Sequence, residues 1–261
     1  MKICVFSDVH GNYQALDKML SFETDVSRFV FLGDIFGYFT EQERILERMS
    51  KMDNLTCICG NHDAYYLRSL QDNGLREELV KKYGSSYLSK ISDGQIEFLK
   101  NMSEYLVEDI DGIKLAFYHG GPDDYLEQRI YPDTELALDS DGVLVANDDN
   151  MSDTSKADAL DVIFTGHTHY RLSRSLPVNN EESLVIKTDN LLQAGECVLI
   201  NPGSLGQPRD GKGFSYCVLD TQTREVSFRN VEIDVGELLN SVYEAEQESD
   251  NYRYLAKKYM Q

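Results

Sequence analysis

Along the first half of the chain, short apolar runs rich in β-branched and aromatic residues recur, each cut off by a cluster of Gly, Asp, Asn or His. Residues 2–6, 28–32 and 55–59 are three such runs, and their length and composition predict buried strands feeding functional loops. Between them the apolar positions change to helical spacing. Residues 12–22 place Tyr13, Leu16, Met19 and Leu20 on one face, and residues 41–52 follow the second strand in the same way. Residues 64–103 are helical in composition, with polar breaks at Asp72-Asn73-Gly74 and Ser92-Asp93-Gly94, which predicts a helical insert in several pieces.

Beyond residue 104 the texture becomes β-rich. Residues 105–109 and 113–118 flank Asp111-Gly112, a strong hairpin signal. Residues 161–165 form another buried-type run, and further strands are expected near 183–188, 196–200 and 214–232, the last broken by a turn at 220–223. An amphipathic helical tail is expected over 235–260, where Tyr243, Tyr252, Tyr254 and Tyr259 read as a packing face or a contact between copies in a homo-oligomer. Residues 139–158 are acidic and polar and read as a solvated loop. A βα-alternating first half and a β-rich second half predict a layered α/β sandwich in one domain spanning residues 1–261.

Composition narrows the partners. With 45 acidic and 25 basic residues the formal net charge is −20. Such a surface repels polyanions, so long nucleic acid is excluded as a partner, while a small anion can still bind where cations dominate the local field. No run is long and apolar enough to suggest a membrane segment, and Met1-Lys2 leads straight into a strand-like run, so a cytoplasmic location is expected. Five cysteines (Cys4, Cys57, Cys59, Cys197 and Cys217) lie in apolar runs and read as reduced core thiols. Cys57-Ile58-Cys59 has the wrong gap for a zinc knuckle or a redox pair.

All five histidines fall in short polar motifs at expected strand ends: Asp8-Val9-His10-Gly11-Asn12, Gly60-Asn61-His62-Asp63, His119-Gly120-Gly121 and Gly166-His167-Thr168-His169. On an extended backbone Asp8 and His10 point to the same side and can reach one cation; His167 and His169 share that spacing. Asp34, behind Gly33, can bridge two cations with its two oxygens. Carboxylate, amide and imidazole donors suit Mn²⁺, Fe or Zn²⁺ better than Mg²⁺. Other readings stand beside these. Asp8, His10 and Asn12 would also serve to cap a following helix, Asp63 has the place of an N-terminal cap as well, and His119 alone would pass for a core histidine.

Taken in order, Asp8-x-His10, Gly33-Asp34, Gly60-Asn61-His62-Asp63, His119 and Gly166-His167-x-His169 resemble the signature of the calcineurin-like metallophosphoesterases, and the resemblance covers residues 2–232. It implies a four-layer α/β/β/α sandwich, two mixed β-sheets flanked by helices. It also implies two divalent transition-metal ions, Mn²⁺ first among them. One would be held by Asp8, His10, Asp34 and His169, the other by Asp34, Asn61, His119 and His167. His62 would protonate the leaving oxygen, with Asp63 or a neighbour orienting it. Gly37 stands where purple acid phosphatases need a metal-binding Tyr, and Ala64-Tyr65-Tyr66 replaces the Arg that phosphoprotein phosphatases carry after this block. Both departures point to small phosphodiesters. Gly33–Tyr38 and Asn201–Asp210 resemble a bacterial subgroup related to diadenosine polyphosphate hydrolases, which makes dinucleoside polyphosphates such as diadenosine tetraphosphate the expected substrates. Cyclic nucleotides or other small diesters are the alternative, and a catalytically silent interaction module is the reading from a different class. Arg209, Asn12 and Tyr38 are the candidate substrate contacts, Arg209 for a phosphate and Tyr38 for a base. The pocket walls are expected from the insert and the acidic loop.

Overall fold

The structure, a computed structural model, describes residues 1–134, 136–138, 144–146, 160–177, 196–246 and 249–259. The chain begins as an alternation of β1 (Lys2–Phe6), α1 (Tyr13–Phe22), β2 (Arg28–Phe31), α2 (Gln42–Met49) and β3 (Leu55–Cys57). The insert follows as α3 (Asn61–Ser69), α4 (Asn73–Tyr83), a 3₁₀ turn (Ser85–Leu88) and α5 (Asp93–Lys100). Its breaks fall at the two expected polar clusters. Asp72 and Ser92 cap α4 and α5, their side chains accepting from the backbone amides of Leu75 and Gln95. The hairpin β4 (Tyr105–Ile110) and β5 (Ile113–Tyr118) comes next, then a short hairpin β6 (Leu136–Leu138) and β7 (Leu144–Ala146). The remaining strands are β8 (Val162–Phe164), β9 (Arg171–Pro177), β10 (Glu196–Pro202), β11 (Phe214–Asp220) and β12 (Glu225–Val231), and α6 (Val235–Glu246) and α7 (Asp250–Tyr259) close the chain.

Two mixed five-stranded sheets, flanked by helices, result. The first runs β12-β11-β1-β2-β3 and the second β4-β5-β8-β10-β9. In each, three parallel strands (β1, β2, β3 and β5, β8, β10) are bordered by antiparallel ones. Period-two alternation sorts each strand between two layers. Ile3, Val5, Val30 and Leu32 face Leu115, Phe117, Phe164 and Ile200 across the inter-sheet core. Cys4, Phe6 and Phe31 point the other way, into a core shared with Leu16 and Met19 of α1, Leu46 of α2 and Tyr87 of the insert. The outer face of the second sheet packs Ala116, Ile163, Leu176 and Leu199 with Ile130 and Leu160. With both faces of the parallel strands covered, their runs read as almost wholly apolar.

Three expectations change. Strand β9 was not foreseen: it is an edge strand with Leu172 and Leu176 buried among Arg and Ser, so its apolar signal is thin. The tail is two helices rather than one. The strand expected near 183–188 lies outside the described residues, as does most of the acidic stretch 139–158, of which residues 144–146 form β7. None of the five cysteines is paired, and Cys4, Cys197 and Cys217 are buried. Among the described residues no helix is long and apolar enough to cross a membrane.

Phe164 stacks on Phe117 at 5.1 Å between the sheets and is fully buried. Phe164→Ala is expected to lower the unfolding free energy by about 3–5 kcal/mol, read by urea denaturation. A loss near zero would mean the sheets do not close as described.

Candidate metal centre and active site

Ligand-type side chains gather at the carboxyl ends of the parallel strands, where the loops of both sheets meet; open α/β sheets place their sites at such ends. The loops after β1 and β2 run side by side. His10 N donates to Asp34 O at 3.0 Å and Gly11 N to Ile35 O at 2.8 Å. Asp8, His10, Asp34, His167 and His169 all have positive φ, 47–71°, and make up five of the seven non-glycine residues in that region among the described residues. Asp8 and His10 therefore converge through a left-handed backbone and not through the extended alternation the sequence suggested. Backbone held there is costly for residues with a Cβ.

The geometry forms two groups with one carboxylate standing between them. Asp8, His10 and His169 lie together, and Asp34, His119 and His167 lie together, with ligand atoms within 4.8 Å of one another in each. Asp34 Oδ2 stands between the groups, 3.7 Å from His10 Nε2 and 3.5 Å from His119 Nε2. Nδ1 of His10, His119 and His169 each donates to a backbone carbonyl (Phe36 at 2.6 Å, Leu32 at 2.8 Å, Gln207 at 2.8 Å). A carbonyl only accepts, so each Nδ1 carries the proton and each Nε2 presents a lone pair. His10 Nε2 and His169 Nε2 face each other at 3.0 Å, and His119 Nε2 faces Asn61 Oδ1 at 3.0 Å. Asp8 Oδ1 is sealed from solvent without a hydrogen bond. Acceptors thus face acceptors in a buried site with no proton between them, and a cation is the group that fits.

Charge tells the same story. Burial keeps the imidazoles of His10, His119 and His62 below the usual histidine range, and His167 down at about 3; neutral imidazole is the ligating form. Burial, with the nearby carboxylates of Asp8 and Asp63, pushes Asp34 well above the carboxylate range, a repulsion that bound cations relieve.

Glycines make the close approaches possible. A Cβ on Gly60 would sit 2.2 Å from Asp34 Oδ1, and one on Gly37 (φ +150°) would sit 2.2 Å from His10 Nδ1. No side chain of any kind fits at position 37.

His62 is fixed through its backbone. Its N–H donates to Asp34 Oδ1 at 2.9 Å and its carbonyl accepts from Tyr87 O–H at 2.9 Å. The ring makes no hydrogen bond among the described residues, and Nδ1 is buried without a partner. It lies 4.9 Å from the ring of His10 and 5.0 Å from that of Tyr83, and it comes within ligand reach of His10 and Asp34. Asp63 does not orient it. Both Asp63 oxygens accept from backbone amides, Oδ2 from Asp34 (2.8 Å) and Gly60 (3.1 Å), Oδ1 from Ile35 (2.8 Å); burial raises this carboxyl to about 6 despite those amides. It pins the Asp34 loop to the start of α3.

Asn12 is likewise corrected. Its Oδ1 caps α1 on Ala15 N, its Nδ2 donates to Leu205 O at 2.8 Å and it is fully buried, so it fills the capping role the sequence also offered and not that of a substrate contact. Tyr38 does border the cluster, its ring 4.9 Å from His10, and its hydroxyl accepts from Arg209 Nη2 at 3.2 Å. Burial pushes its phenol up to about 12, so it stays protonated. Sequence reasoning missed Arg129, whose Nε donates to His167 Nε2 at 3.1 Å, and Lys258, whose Nζ donates to Pro208 O at 2.6 Å beside Arg209. Neither sits in a motif, and no local signal marks them.

Residues 1–224 match the calcineurin-like phosphoesterase superfamily domain. An uncharacterized protein of Methanocaldococcus jannaschii is 29% identical over 245 residues, covering 89% of this chain and 88% of its own. A metallophosphoesterase from Sphaerobacter thermophilus shares the fold with a TM-score of 0.73 at 23% identity, over 98% of this chain and 99% of its own. A hypothetical protein from Pyrococcus horikoshii does so with a TM-score of 0.71 at 18% identity, over 97% of each.

Elemental analysis by inductively coupled plasma mass spectrometry is expected to find about two divalent transition ions per chain and clearly fewer in Gly37→Ala, whose methyl group displaces the His10 ring. Full occupancy in that variant would remove His10 from the ligand set.

Proposed function

The chain belongs to the calcineurin-like phosphoesterase superfamily, hydrolases acting on phosphoesters, and on that premise we propose that it is a two-metal phosphodiesterase of small nucleotides, with dinucleoside polyphosphates such as diadenosine tetraphosphate as substrates. The observation that carries this reading is the acceptor-only cluster with the unpartnered ring of His62 beside it. Asp8, His10, Asp34 and His169 would hold one ion and Asp34, Asn61, His119 and His167 the other. Mn²⁺ is the proposed ion, with Fe or Zn²⁺ its competitors for the same donors. When bound, two such ions supply positive charge that acidifies water and offsets charge on the phosphoryl oxygens.

The chain's own residues do the rest. Asp63 holds the Asp34 loop in register. Tyr38 and Tyr83 wall the site against bulk water, which strengthens every charge interaction inside it. His62 is the proton donor to the leaving oxygen. Burial and the neighbouring imidazoles disfavour the charged form of its ring, and the negative charge of a phosphoester favours the imidazolium. The donor set and His62 together argue against a silent interaction module, and a net charge of −20 argues against polymeric nucleic acid as substrate.

Two measurements test this. His62→Ala is expected to keep its metal content and lose about 10²–10⁴-fold in kcat on diesters with poor leaving groups; undiminished turnover overturns the proton-donor role, and loss of metal makes His62 a ligand instead. Chromatography of products from diadenosine tetraphosphate, with metal-stripped protein and added Mn²⁺, is expected to show metal-dependent cleavage. AMP plus ATP would mean asymmetric attack and two ADP symmetric attack. Intact substrate in every tube would remove dinucleoside polyphosphates from the proposal.

A further inference from the structure

Helices α6 and α7 lie beyond the 1–224 span shared with the superfamily domain, yet they dock on the loop that carries the site. Asn251 Nδ2 donates to Tyr38 O at 2.7 Å, and Leu255 packs with Phe39, Leu238, Leu239 and Val242. One turn further on, α7 sets Lys258 beside Arg209, its Nζ on Pro208 O at 2.6 Å. Arg209 is tied to the metal centre itself. Its N–H donates to His169 O at 3.1 Å, and its guanidinium donates to Tyr38 Oη at 3.2 Å and to Gln207 Oε1 at 3.2 Å.

Two cations side by side are unexpected in a chain of net charge −20, and among the described residues no carboxylate forms an ion pair with either. The adjacent Asp210 is held by Arg171 at 3.0 Å. Burial and the Arg209 guanidinium pull Lys258 down to about 8, against the opposing charge of Asp210. Donors without acceptors accompany the pair. Gln207 Nε2 is sealed from solvent and unpartnered, and so is the hydroxyl of Tyr259, which lies close enough to the Arg209 guanidinium to feel its charge. An acceptor-rich dianion satisfies both deficits at once. A helix anchor alone would not need the pair, since the Pro208 carbonyl engages only one of the three Lys258 protons.

We propose that Arg209 and Lys258, with the Tyr259 hydroxyl and the Gln207 amide, bind a second phosphate of the substrate next to the one being cleaved. The site is thereby built for nucleotides linked through phosphoanhydrides, in preference to simple diesters or cyclic nucleotides. The proposal rests on the phosphodiesterase reading and specifies its substrate class. It assigns to the C-terminal helix, an element outside the superfamily span, the selection of a polyphosphate.

The test combines binding and kinetics on wild type, Lys258→Gln and Lys258→Arg. Calorimetric titration of the metal-loaded protein is expected to show ADP binding about tenfold more tightly than AMP, a preference lost in Lys258→Gln and kept in Lys258→Arg. In the metal-loaded enzyme, Lys258→Gln is expected to cut kcat/KM about tenfold more on diadenosine tetraphosphate than on bis(p-nitrophenyl) phosphate, mainly through KM, with recovery in Lys258→Arg. Equal affinity for ADP and AMP in the wild type, or equal losses on the two substrates, overturns the subsite while leaving the phosphodiesterase reading in place. Failure of the loaded wild type to cleave either substrate overturns that reading instead, and the calorimetry then still decides whether the anion subsite exists.

Discussion

Everything else in the molecule answers to one constraint: a buried cluster of lone pairs and carboxylates that repel one another until cations arrive. Facing Nε2 atoms at 3.0 Å and an Nε2 facing an amide oxygen at 3.0 Å are arrangements that a low-dielectric interior makes worse. Five ligand-type residues with positive φ add backbone strain on the order of 1–3 kcal/mol each. The net stability of a folded domain is only about 5–15 kcal/mol, so a site like this persists only where its surroundings over-determine it.

The surroundings do so by tying the two sheets together at their carboxyl ends. The loop after β10 crosses onto the loop after β1. Gly206 N donates to Asp8 O at 2.8 Å, Ser204 Oγ to the same carbonyl at 2.8 Å, and Leu205 N to Ser7 O at 3.2 Å. From within that loop Gln207 O fixes the His169 tautomer, and from the end of β10 Asn201 Nδ2 holds Gly166 O at 2.7 Å. Asp63 performs the corresponding task between the Asp34 loop and α3. Each group therefore draws on both sheets: Asp8 and His10 come from the first and His169 from the second; Asp34 comes from the first and His119 and His167 from the second. A shift of one sheet against the other would break both groups, which makes the inter-sheet core of Val5, Val30, Phe117 and Phe164 part of the site's precision as well as of its stability.

How much of this the sequence disclosed follows from the range over which each signal acts. Parallel strands buried on both faces announce themselves as apolar runs, and ligands at strand ends fall in compact motifs, so the sandwich and the clustering of Asp8, His10, Asp34, His119, His167 and His169 were legible. What a side chain does when its partner lies far along the chain was not. Asp63 had two readings, a partner for the histidine beside it and a cap; it accepts from Gly60 N at the start of α3 and from backbone amides on another loop, and not from the histidine. Asn12 also had two, substrate contact and helix cap, and it is the cap that it provides, with Leu205 taking its amide. The Asp8-Val9-His10 spacing led to the right convergence for the wrong reason, because positive φ at both residues is invisible in residue types that tolerate either backbone. Edge strand β9 gave only a thin apolar signal, and Arg209 stood out as a phosphate contact while Lys258, the cation beside it, lay in no motif.

Division of labour along the chain explains why the last of these was hardest to see. The metal ligands sit on loops whose geometry is set by the two sheets, so they recur wherever that architecture does and leave a motif. The surfaces that meet the remainder of a substrate come from elements the sheets do not dictate. Tyr83 arrives from the helical insert and Lys258 from a helix beyond the superfamily span, and α4 and α7 touch. Such elements can change length and composition at less cost to the strained centre, because they meet it through Tyr38, Arg209 and His62 rather than through the metal-ligand side chains. Chemistry is thus anchored where change is costly, and substrate choice is carried where change is cheap, which is why the motif declares a phosphoester hydrolase while the substrate has to be argued from the helices around it.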